Sequence, residues 1–223
     1  MMPSPGDRRR ERLARALLYV VTGARQGQGD LAAFLAAVLE AGADIIQLRE
    51  KDAEAGDLLR WSDDFRVAAD RYGALFLVND RPDVAIAAGA DGVHLGQNDL
   101  PPAWARRVVG PDVLIGLSTH SPAEFDAGAP QADYLCVGPL FATPTKPGRP
   151  ATGLEIVTHA ASRERDGTEQ RPWFAIGGVD VASLPAVGAA GATRVVVVRA
   201  AAGADPGASV RALIDGLARS SVP

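Results

Sequence analysis

The sequence predicts a single (β/α)8 barrel, the TIM-barrel architecture of the α/β class. Short apolar runs, many of them β-branched, recur eight times along the 223 residues, and segments with helical spacing separate them. Near-continuous hydrophobic strands that alternate with helices indicate a parallel sheet covered by helices. Eight such units fit a closed barrel better than an open sheet. An open doubly wound sheet would be expected to carry a GxGxxG turn after its first strand, and TGARQGQGD (22–30) lacks that spacing.

The predicted strands are LLYVVT (17–22), DIIQLRE (44–50), ALFLVND (74–80), GVHLG (92–96), VLIGLST (113–119), YLCVGPL (134–140), WFAIGG (173–178) and RVVVVRA (194–200). Three of them are entered through a Gly-Ala turn, in AGADIIQL, AGADGVHL and AGATRVVV, where glycine suits the left-handed conformation that ends a helix. No linker rich in Pro, Gly or Ser divides the chain. We therefore predict one barrel domain over residues 17–219, preceded by an N-terminal extension, 1–16, that is mobile or helical.

The composition argues against several classes of function. A net charge of −4 gives no broad basic surface, so neither nucleic acid nor an anionic membrane is an expected partner. The single cysteine, Cys136, cannot form an internal disulfide, which favours a reducing compartment. No run approaches the ~20 apolar residues that cross a bilayer. We predict a cytoplasmic protein that acts on small molecules, and the sequence leaves open whether it forms a homo-oligomer.

Lysine is rare in this chain, which makes its two positions informative. Of 23 lysine and arginine residues, only Lys51 in QLREK and Lys146 in TPTKPG are lysines. A planar guanidinium and a compact ammonium are not interchangeable at a crowded phosphate site. The two lysines are either chance survivors of a compositional bias or positions where the compact charge is required.

Polar residues cluster where the second strand ends, which is where a barrel carries its reactive groups. Gln47, Arg49 and Lys51 share one parity, so all three can face the mouth of the barrel while Ile46 and Leu48 pack outward. Two cations and an amide on one face would suit a diphosphate. The alternative is a salt-bridged rim in which Glu50 neutralises a neighbour.

Two aspartates follow neighbouring strands at the same end of the barrel. Asp80 comes after Asn79 at the end of strand three, and Asp99 lies in the loop after strand four. Mg²⁺ prefers one or two carboxylates together with water and substrate phosphate oxygens, so this pair predicts a magnesium site. The alternative for each is a helix cap, because a plausible helix start follows both.

Later strand ends add further candidates. Ser118 could donate to an anion and His120 could act as an acid or base, although both could instead belong to the cap of the next helix. The loop GPLFATPTKPGRPATG (138–153) is too long for a simple connection and resembles a binding lid. Gly178, after strand seven, would let a phosphate approach the backbone. His94 is interpreted as structural, and Tyr19 as either core or a surface for stacking a heterocycle.

Taken together, QLREK, VND, HLGQNDL, GLSTH, GPLFATPTKPGRP and the late IGG resemble the thiamine-phosphate synthase (thiamine-phosphate pyrophosphorylase) family, in order and at matching strand ends over about residues 17–215. The resemblance implies a transferase that uses Mg²⁺. It would join hydroxymethylpyrimidine diphosphate to thiazole phosphate and release thiamine phosphate and pyrophosphate. Diphosphate would leave first, and the thiazole nitrogen would then attack the pyrimidinylmethyl cation.

The resemblance also implies roles for individual residues. The metal would be held by Asp80 and Asp99. The pyrimidine diphosphate would be held by Gln47, Arg49, Lys51, Asn79, Ser118 and Lys146, of which Arg49, Lys51, Ser118 and Lys146 would be catalytic. The thiazole substrate would meet Thr143 and Thr145, with its phosphate on Gly178, Val198 and Arg199. The expected substrate-binding set is completed by Leu48, Glu50 and Pro144.

One residue of this chain departs from the family pattern, and two other functions remain alternatives to the synthase reaction. Many family members carry Ser where this chain has Arg199, which affects the expected thiazole phosphate affinity more than the reaction type. A related barrel, the thiazole tautomerase, uses a histidine after strand five, and His120 occupies such a place. The tautomerase reaction would not require Mg²⁺ or a set of residues that binds a diphosphate. A non-catalytic binder of thiamine precursors would be expected to lose at least one metal aspartate or cation.

Overall fold

In the computed structural model, which describes residues 2–142 and 151–220, eight parallel strands close into a barrel in chain order. The strands are β1 (Leu18–Thr22), β2 (Ile45–Leu48), β3 (Leu75–Asn79), β4 (Gly92–Leu95), β5 (Leu114–Thr119), β6 (Tyr134–Val137), β7 (Trp173–Ile176) and β8 (Val195–Val197). Each strand pairs with its successor, and β8 returns to pair with β1. The predicted barrel is confirmed.

Helices cover the outside of the strands, except that the first of them lies at the base of the barrel. They are α1 (Pro5–Arg15), α2 (Leu31–Glu40), α3 (Ala55–Tyr72), α4 (Pro82–Ala87), α5 (Pro102–Val109), α6 (Pro122–Gly128), α7 (Glu155–Arg165), α8 (Leu184–Ala189) and α9 (Pro206–Ser220), with 3-10 turns at Ala129–Gln131 and Arg199–Ala201. The glycines of the three predicted Gly-Ala turns, Gly42, Gly89 and Gly191, all have positive φ. Among the described residues, no helix is long and apolar enough to span a membrane.

Most strands end one to three residues earlier than the sequence pattern predicts, and the physical reason is clear for the last three. β6 stops before Gly138, whose φ of 151° leaves the strand conformation, and Pro139 then has no N–H for the ladder. β7 stops before Gly177, whose φ is 101°. β8 stops at Val197, and Arg199 begins a 3-10 turn instead of continuing the strand. The early endings leave these residues free to shape the mouth of the barrel.

Alternating residues of the strands form two separate apolar clusters, as expected for a barrel with side chains on both faces. The outer cluster joins strands to helices and includes Val20, Ile46, Phe76 and Ile115. The inner cluster fills the barrel with side chains that include Tyr19, Ile45, Leu75, Leu77, Leu114, Tyr134, Phe174 and Val196.

Helix α1 lies at the base of the barrel, the end from which the strands begin. Its Leu13, with Ala16 just beyond it, belongs to the inner cluster and is 1% exposed. Arg9 pairs with Asp91 and Arg10 with Asp133, both at 2.9 Å, so the helix is bound to two strand entrances. The helix begins with a capping box in which Ser4 and Asp7 exchange hydrogen bonds.

Candidate active site

At the end of β2, Gln47 faces the barrel interior, as the parity argument expects for this residue. Gln47 is buried at 2% exposure inside the barrel, whereas Ile46 and Leu48 pack into the outer cluster. The Leu48 side chain therefore points away from the mouth. Glu50 Oε1 accepts a hydrogen bond of 2.8 Å from the backbone N–H of Ala24, so this carboxylate joins the loops after β1 and β2.

Asp80, Asp99 and Lys51 meet at the mouth. Lys51 Nζ lies 3.7 Å from Asp80 Oδ2, and the carboxyl groups of Asp80 and Asp99 are in hydrogen-bond contact. Burial raises the pKa of Asp80 to about 6, the neighbouring Asp99 carboxyl adds to the rise, and the charges of Lys51 and Arg49 oppose it. The structure thus places two carboxyl groups together at the mouth, and at Asp80 burial and the second acid outweigh the effect of the nearby cations.

Neither aspartate caps a helix. The N-cap residue of α4 is Arg81 and that of α5 is Pro101, and neither helix has a side-chain cap. Asp99 Oδ2 instead accepts the Gly96 N–H at 2.6 Å, within its own loop. Asp80 has a φ of 61°, in the left-handed region that non-glycine residues rarely adopt. A strained backbone at a carboxylate in the mouth is typical of a functional position.

This carboxylate pair fits Mg²⁺ by its chemistry. Within residues 2–142 and 151–220, no group of three or more His, Cys, Asp or Glu side chains is arranged to hold a metal. Two carboxylates alone match an ion that takes its remaining ligands from water and from substrate phosphates. The raised pKa of Asp80 agrees with this, because a divalent cation would stabilise both ionised groups.

A cavity of about 290 Å³ opens beside the ends of β5, β7 and β8. Its lining includes Ser118, Gly177, Gly178, Val198 and Arg199. The structure therefore brings the three residues predicted for the thiazole phosphate, Gly178, Val198 and Arg199, into the lining of one cavity.

The two glycines after β7 are required by close packing as well as by backbone conformation. A Cβ at Gly177 would lie 2.4 Å from Pro139 Cα, and one at Gly178 would lie 2.8 Å from Phe141 Cβ. The loop after β6 approaches this closely because Leu140 N–H donates to Ile176 O and Phe141 N–H to Gly177 O, each at 2.9 Å. A larger residue at either position would push this loop away from the cavity.

One acidic residue of the cavity lining was not anticipated from the sequence. Asp180 Oδ1 accepts the Ser183 N–H, and the Asp180 N–H donates to Ser183 Oγ, each at 2.9 Å. This reciprocal pair forms the entry to α8, so the carboxylate serves the turn that supports the cavity.

Ser118 is 5% exposed, and its hydroxyl contacts a histidine that the sequence analysis interpreted as structural. Ser118 Oγ lies 2.9 Å from His94 Nε2, and Gln97 Nε2 donates to the Ser118 carbonyl at 2.6 Å. The strand parity that placed Gln47 inside the barrel also places His94 inside, between outward Val93 and Leu95, and could have identified it.

His120 contacts the next helix. Its Nδ1 lies 2.8 Å from Glu124 Oε2, which also accepts the His120 backbone N–H at 2.8 Å. The N-cap residue of α6 is Ser121, whose Oγ accepts the Glu124 N–H at 3.2 Å. The cap of α6 is therefore formed by Ser121 and Glu124, whereas the Ser118 side chain points to the barrel interior.

Four predicted site residues of the loop after β6 lie outside the described residues: Thr143, Pro144, Thr145 and Lys146.

Comparison with known proteins gives one consistent result. A family model described as thiamine monophosphate synthase matches residues 18–201. A thiamine-phosphate synthase of Acidothermus cellulolyticus is 56% identical over 197 residues, covering 87% of this chain and 91% of that protein. One from Streptomyces avermitilis is 54% identical over 201 residues, covering 89% and 92%.

Solved structures agree with this. A thiamine phosphate pyrophosphorylase from Pyrococcus furiosus has a TM-score of 0.81 at 29% identity, covering 96% of this chain and 99% of its own. A 3-hexulose-6-phosphate synthase, at 21% identity and a TM-score of 0.63, shares the fold alone. These matches do not favour the tautomerase alternative or the non-catalytic one.

Proposed function

The chain belongs to the thiamine monophosphate synthase family, a family of transferases, and on this premise we propose how the mouth of its barrel carries out the reaction. The substrates are the pyrimidine diphosphate and the thiazole phosphate. The bond between the pyrimidine methylene carbon and the diphosphate oxygen breaks, and the thiazole nitrogen then forms the new bond to that carbon. Thiamine phosphate and pyrophosphate are the products.

The contact of Asp80 with both Asp99 and Lys51 is the observation that carries this proposal. Departure of diphosphate places negative charge on the leaving oxygens, so the step needs positive charge at the mouth and no protein nucleophile. Lys51 and Arg49 lie beside the carboxylates and supply it from the end of β2. Arginine can bind two phosphate oxygens at once, while lysine contributes a compact charge.

Asp80 and Asp99 would hold Mg²⁺. When bound, the ion would neutralise charge on the departing diphosphate. The two residues would keep it beside Lys51, whose Nζ lies 3.7 Å from Asp80 Oδ2. The strain at Asp80 is then a cost of placing a metal ligand directly after β3.

Substrate binding would be divided between two walls of the mouth. Gln47, Asn79 and Ser118 would hold the pyrimidine from the ends of β2, β3 and β5. Gly178, Val198 and Arg199 line the cavity near β7 and β8 and would hold the phosphate of the thiazole. Ser118 also lines that cavity, so the two substrates would meet beside its hydroxyl.

The test is turnover with both substrates and Mg²⁺, following thiamine phosphate and pyrophosphate together, with a metal-free control. We expect magnesium-dependent formation of the two products in equal amounts. Asp80→Asn should remove that dependence. Asp83→Asn, which alters an exposed carboxylate paired with Arg81, is the matched control and should retain it. Folded protein that forms neither product from intact substrates would contradict the proposal.

A further inference from the structure

A chain of hydrogen bonds crosses the barrel interior beneath the mouth. Gln47 Nε2 donates to Tyr19 Oη, and Tyr19 Oη lies 3.3 Å from Tyr134 Oη. Tyr134 Oη lies 3.0 Å from His94 Nδ1, and His94 Nε2 lies 2.9 Å from Ser118 Oγ. All five side chains are buried. The chain therefore connects Gln47 with Ser118, two residues that the proposed function assigns to the same substrate.

The direction of proton donation along this chain follows from its first member. Gln47 donates to Tyr19, so the Tyr19 hydroxyl can pass its one proton to Tyr134. Tyr134 can then donate to His94 Nδ1, so that Nδ1 is an acceptor and Nε2 carries the ring proton that faces Ser118. Ser118 Oγ accepts that bond, so its own proton is directed elsewhere. At the mouth of the barrel, the Ser118 hydroxyl could donate that proton to a bound substrate.

The rings of the chain are fixed by packing. Tyr19 and Tyr134 both make edge contacts with Phe174, with centroids 5.8 Å apart in each pair. Tyr134 fits only because the residue opposite is glycine, since a Cβ at Gly116 would lie 2.0 Å from Tyr134 Cζ. Burial raises the pKa of both tyrosines well above the usual value, so both hydroxyls keep their protons at neutral pH.

We infer that Tyr134 and His94 are positioning residues that hold the Ser118 hydroxyl as a hydrogen-bond donor toward the pyrimidine diphosphate and couple its orientation to Gln47. The inference rests on the proposed function, because it takes Ser118 to meet that substrate. Reversal of the Gln47 amide would reverse every bond in the chain and make Ser118 an acceptor toward the mouth. The two directions differ in which imidazole nitrogen of His94 carries the proton.

The first experiment is a double-mutant cycle. Tyr134→Phe removes one hydroxyl and keeps the ring, and we expect kcat/KM for the pyrimidine diphosphate to fall about tenfold, the scale of one hydrogen bond. The KM for the thiazole phosphate should not change. In a Ser118→Ala background the same change should have no further effect, because Tyr134 acts through that hydroxyl.

Controls separate positioning from packing. Leu75→Val removes one methylene from the inner cluster and no hydrogen-bonding group, so its kinetic effect should be equal with and without Ser118. An equal tenfold loss for Tyr134→Phe in both backgrounds would overturn the inference. Should Tyr134→Phe fail to fold, Tyr19→Phe interrupts the same chain one step earlier and is tested in the same cycle. Wild-type protein without turnover would contradict the proposed function instead.

The second experiment determines the direction of the hydrogen bonds at His94 and does not depend on turnover. The protein has three histidines, and comparison with His94→Gln assigns the His94 imidazole signals in a ¹⁵N NMR spectrum. We expect the proton on Nε2 in the wild type and a shift toward a mixed population in Tyr134→Phe. A proton on Nδ1 in the wild type would overturn the donor assignment of Ser118.

Discussion

Two aspartates next to neighbouring strands have opposite electrostatic environments: Asp91 precedes β4 at the base of the barrel, and Asp80 follows β3 at its mouth. Burial alone would raise the pKa of Asp91, but the Phe76 N–H and the guanidinium groups of Arg66 and Arg9 together lower it. Asp80 is also partly buried, and its pKa is raised to about 6. Lys51 Nζ lies 3.7 Å from Asp80 Oδ2, and the neighbouring Asp99 is a second acid.

The same contrast holds for other groups at the two ends. At the base, Asp133 accepts from the Ile115 N–H and pairs with Arg10 and Arg106. Asp44 accepts the N–H groups of Leu17 and Leu18. Acids at the base thus complete bonds that hold strands and helices together. At the mouth the pKa of Asp80 is raised instead, as suits a carboxylate that would bind a cation.

The largest expected effect is on turnover at the mouth. Asp80→Asn and Asp99→Ala should each lower kcat about 10² to 10³-fold, because each removes a carboxylate from the site that stabilises the leaving diphosphate. Asn tolerates the left-handed backbone of Asp80, so the fold should survive. Pyrophosphate release is measured across a magnesium titration. Wild-type magnesium dependence in either variant would exclude that residue as a ligand.

At the base the same kind of change should affect stability instead. Asp91→Asn leaves Arg66 and Arg9 without their buried partner, and we expect the free energy of unfolding to fall by about 3 kcal/mol. Asp70→Asn is the matched control, since Asp70 is an exposed partner of the same Arg66 and should cost less than about 1 kcal/mol. Both are measured by denaturant unfolding. Equal losses would remove the distinction between buried and exposed pairs.

The two ends should also differ in their response to pH. Folding raises the pKa of Asp80, so without metal the wild type should lose stability relative to Asp80→Asn as pH rises from about 4 to about 6. Because the site is partly open to solvent, we expect a difference of about 1 kcal/mol, constant above that range. Folding lowers the pKa of Asp91, so its contribution is lost only as pH falls below about 4.

This pH dependence is checked by measuring melting temperatures of the wild type, Asp80→Asn and Asp91→Asn between pH 3 and pH 8. Addition of Mg²⁺ at pH 8 should stabilise the wild type and leave Asp80→Asn unchanged. If the difference in melting temperature between wild type and Asp80→Asn does not vary with pH, folding does not raise the pKa of Asp80.

The smallest expected effect concerns the choice of cation. The base uses arginine in each of the pairs described above, whereas the mouth contains Lys51. Lys51→Arg keeps the charge but not the compact ammonium, and we expect turnover to fall about fivefold, equivalent to about 1 kcal/mol. Lys146→Arg should act in the same direction. Steady-state rates equal to wild type in both variants would leave chance as the explanation for the presence of these two lysines.

The fold could be predicted from the sequence because its signals are local. Strand runs, helical spacing and Gly-Ala turns each lie within a few residues, and strand order then decides which ends meet. The same reasoning placed Asp80 and Asp99 on adjacent loops, and the structure brings them into contact. It did not anticipate that Tyr134 reaches His94, because that bond depends on the space left by Gly116 on the strand between them.

Closure of the base by α1 bears on the fate of the intermediate. The cation left when diphosphate departs would be captured by water as well as by the thiazole nitrogen. Leu13 and Ala16, with the apolar side chains above them, separate the interior from solvent below. In the proposed mechanism α1, at the end of the barrel opposite the mouth, would therefore help the inner cluster to exclude water from the cation, since capture by water would give a pyrimidine alcohol in place of thiamine phosphate.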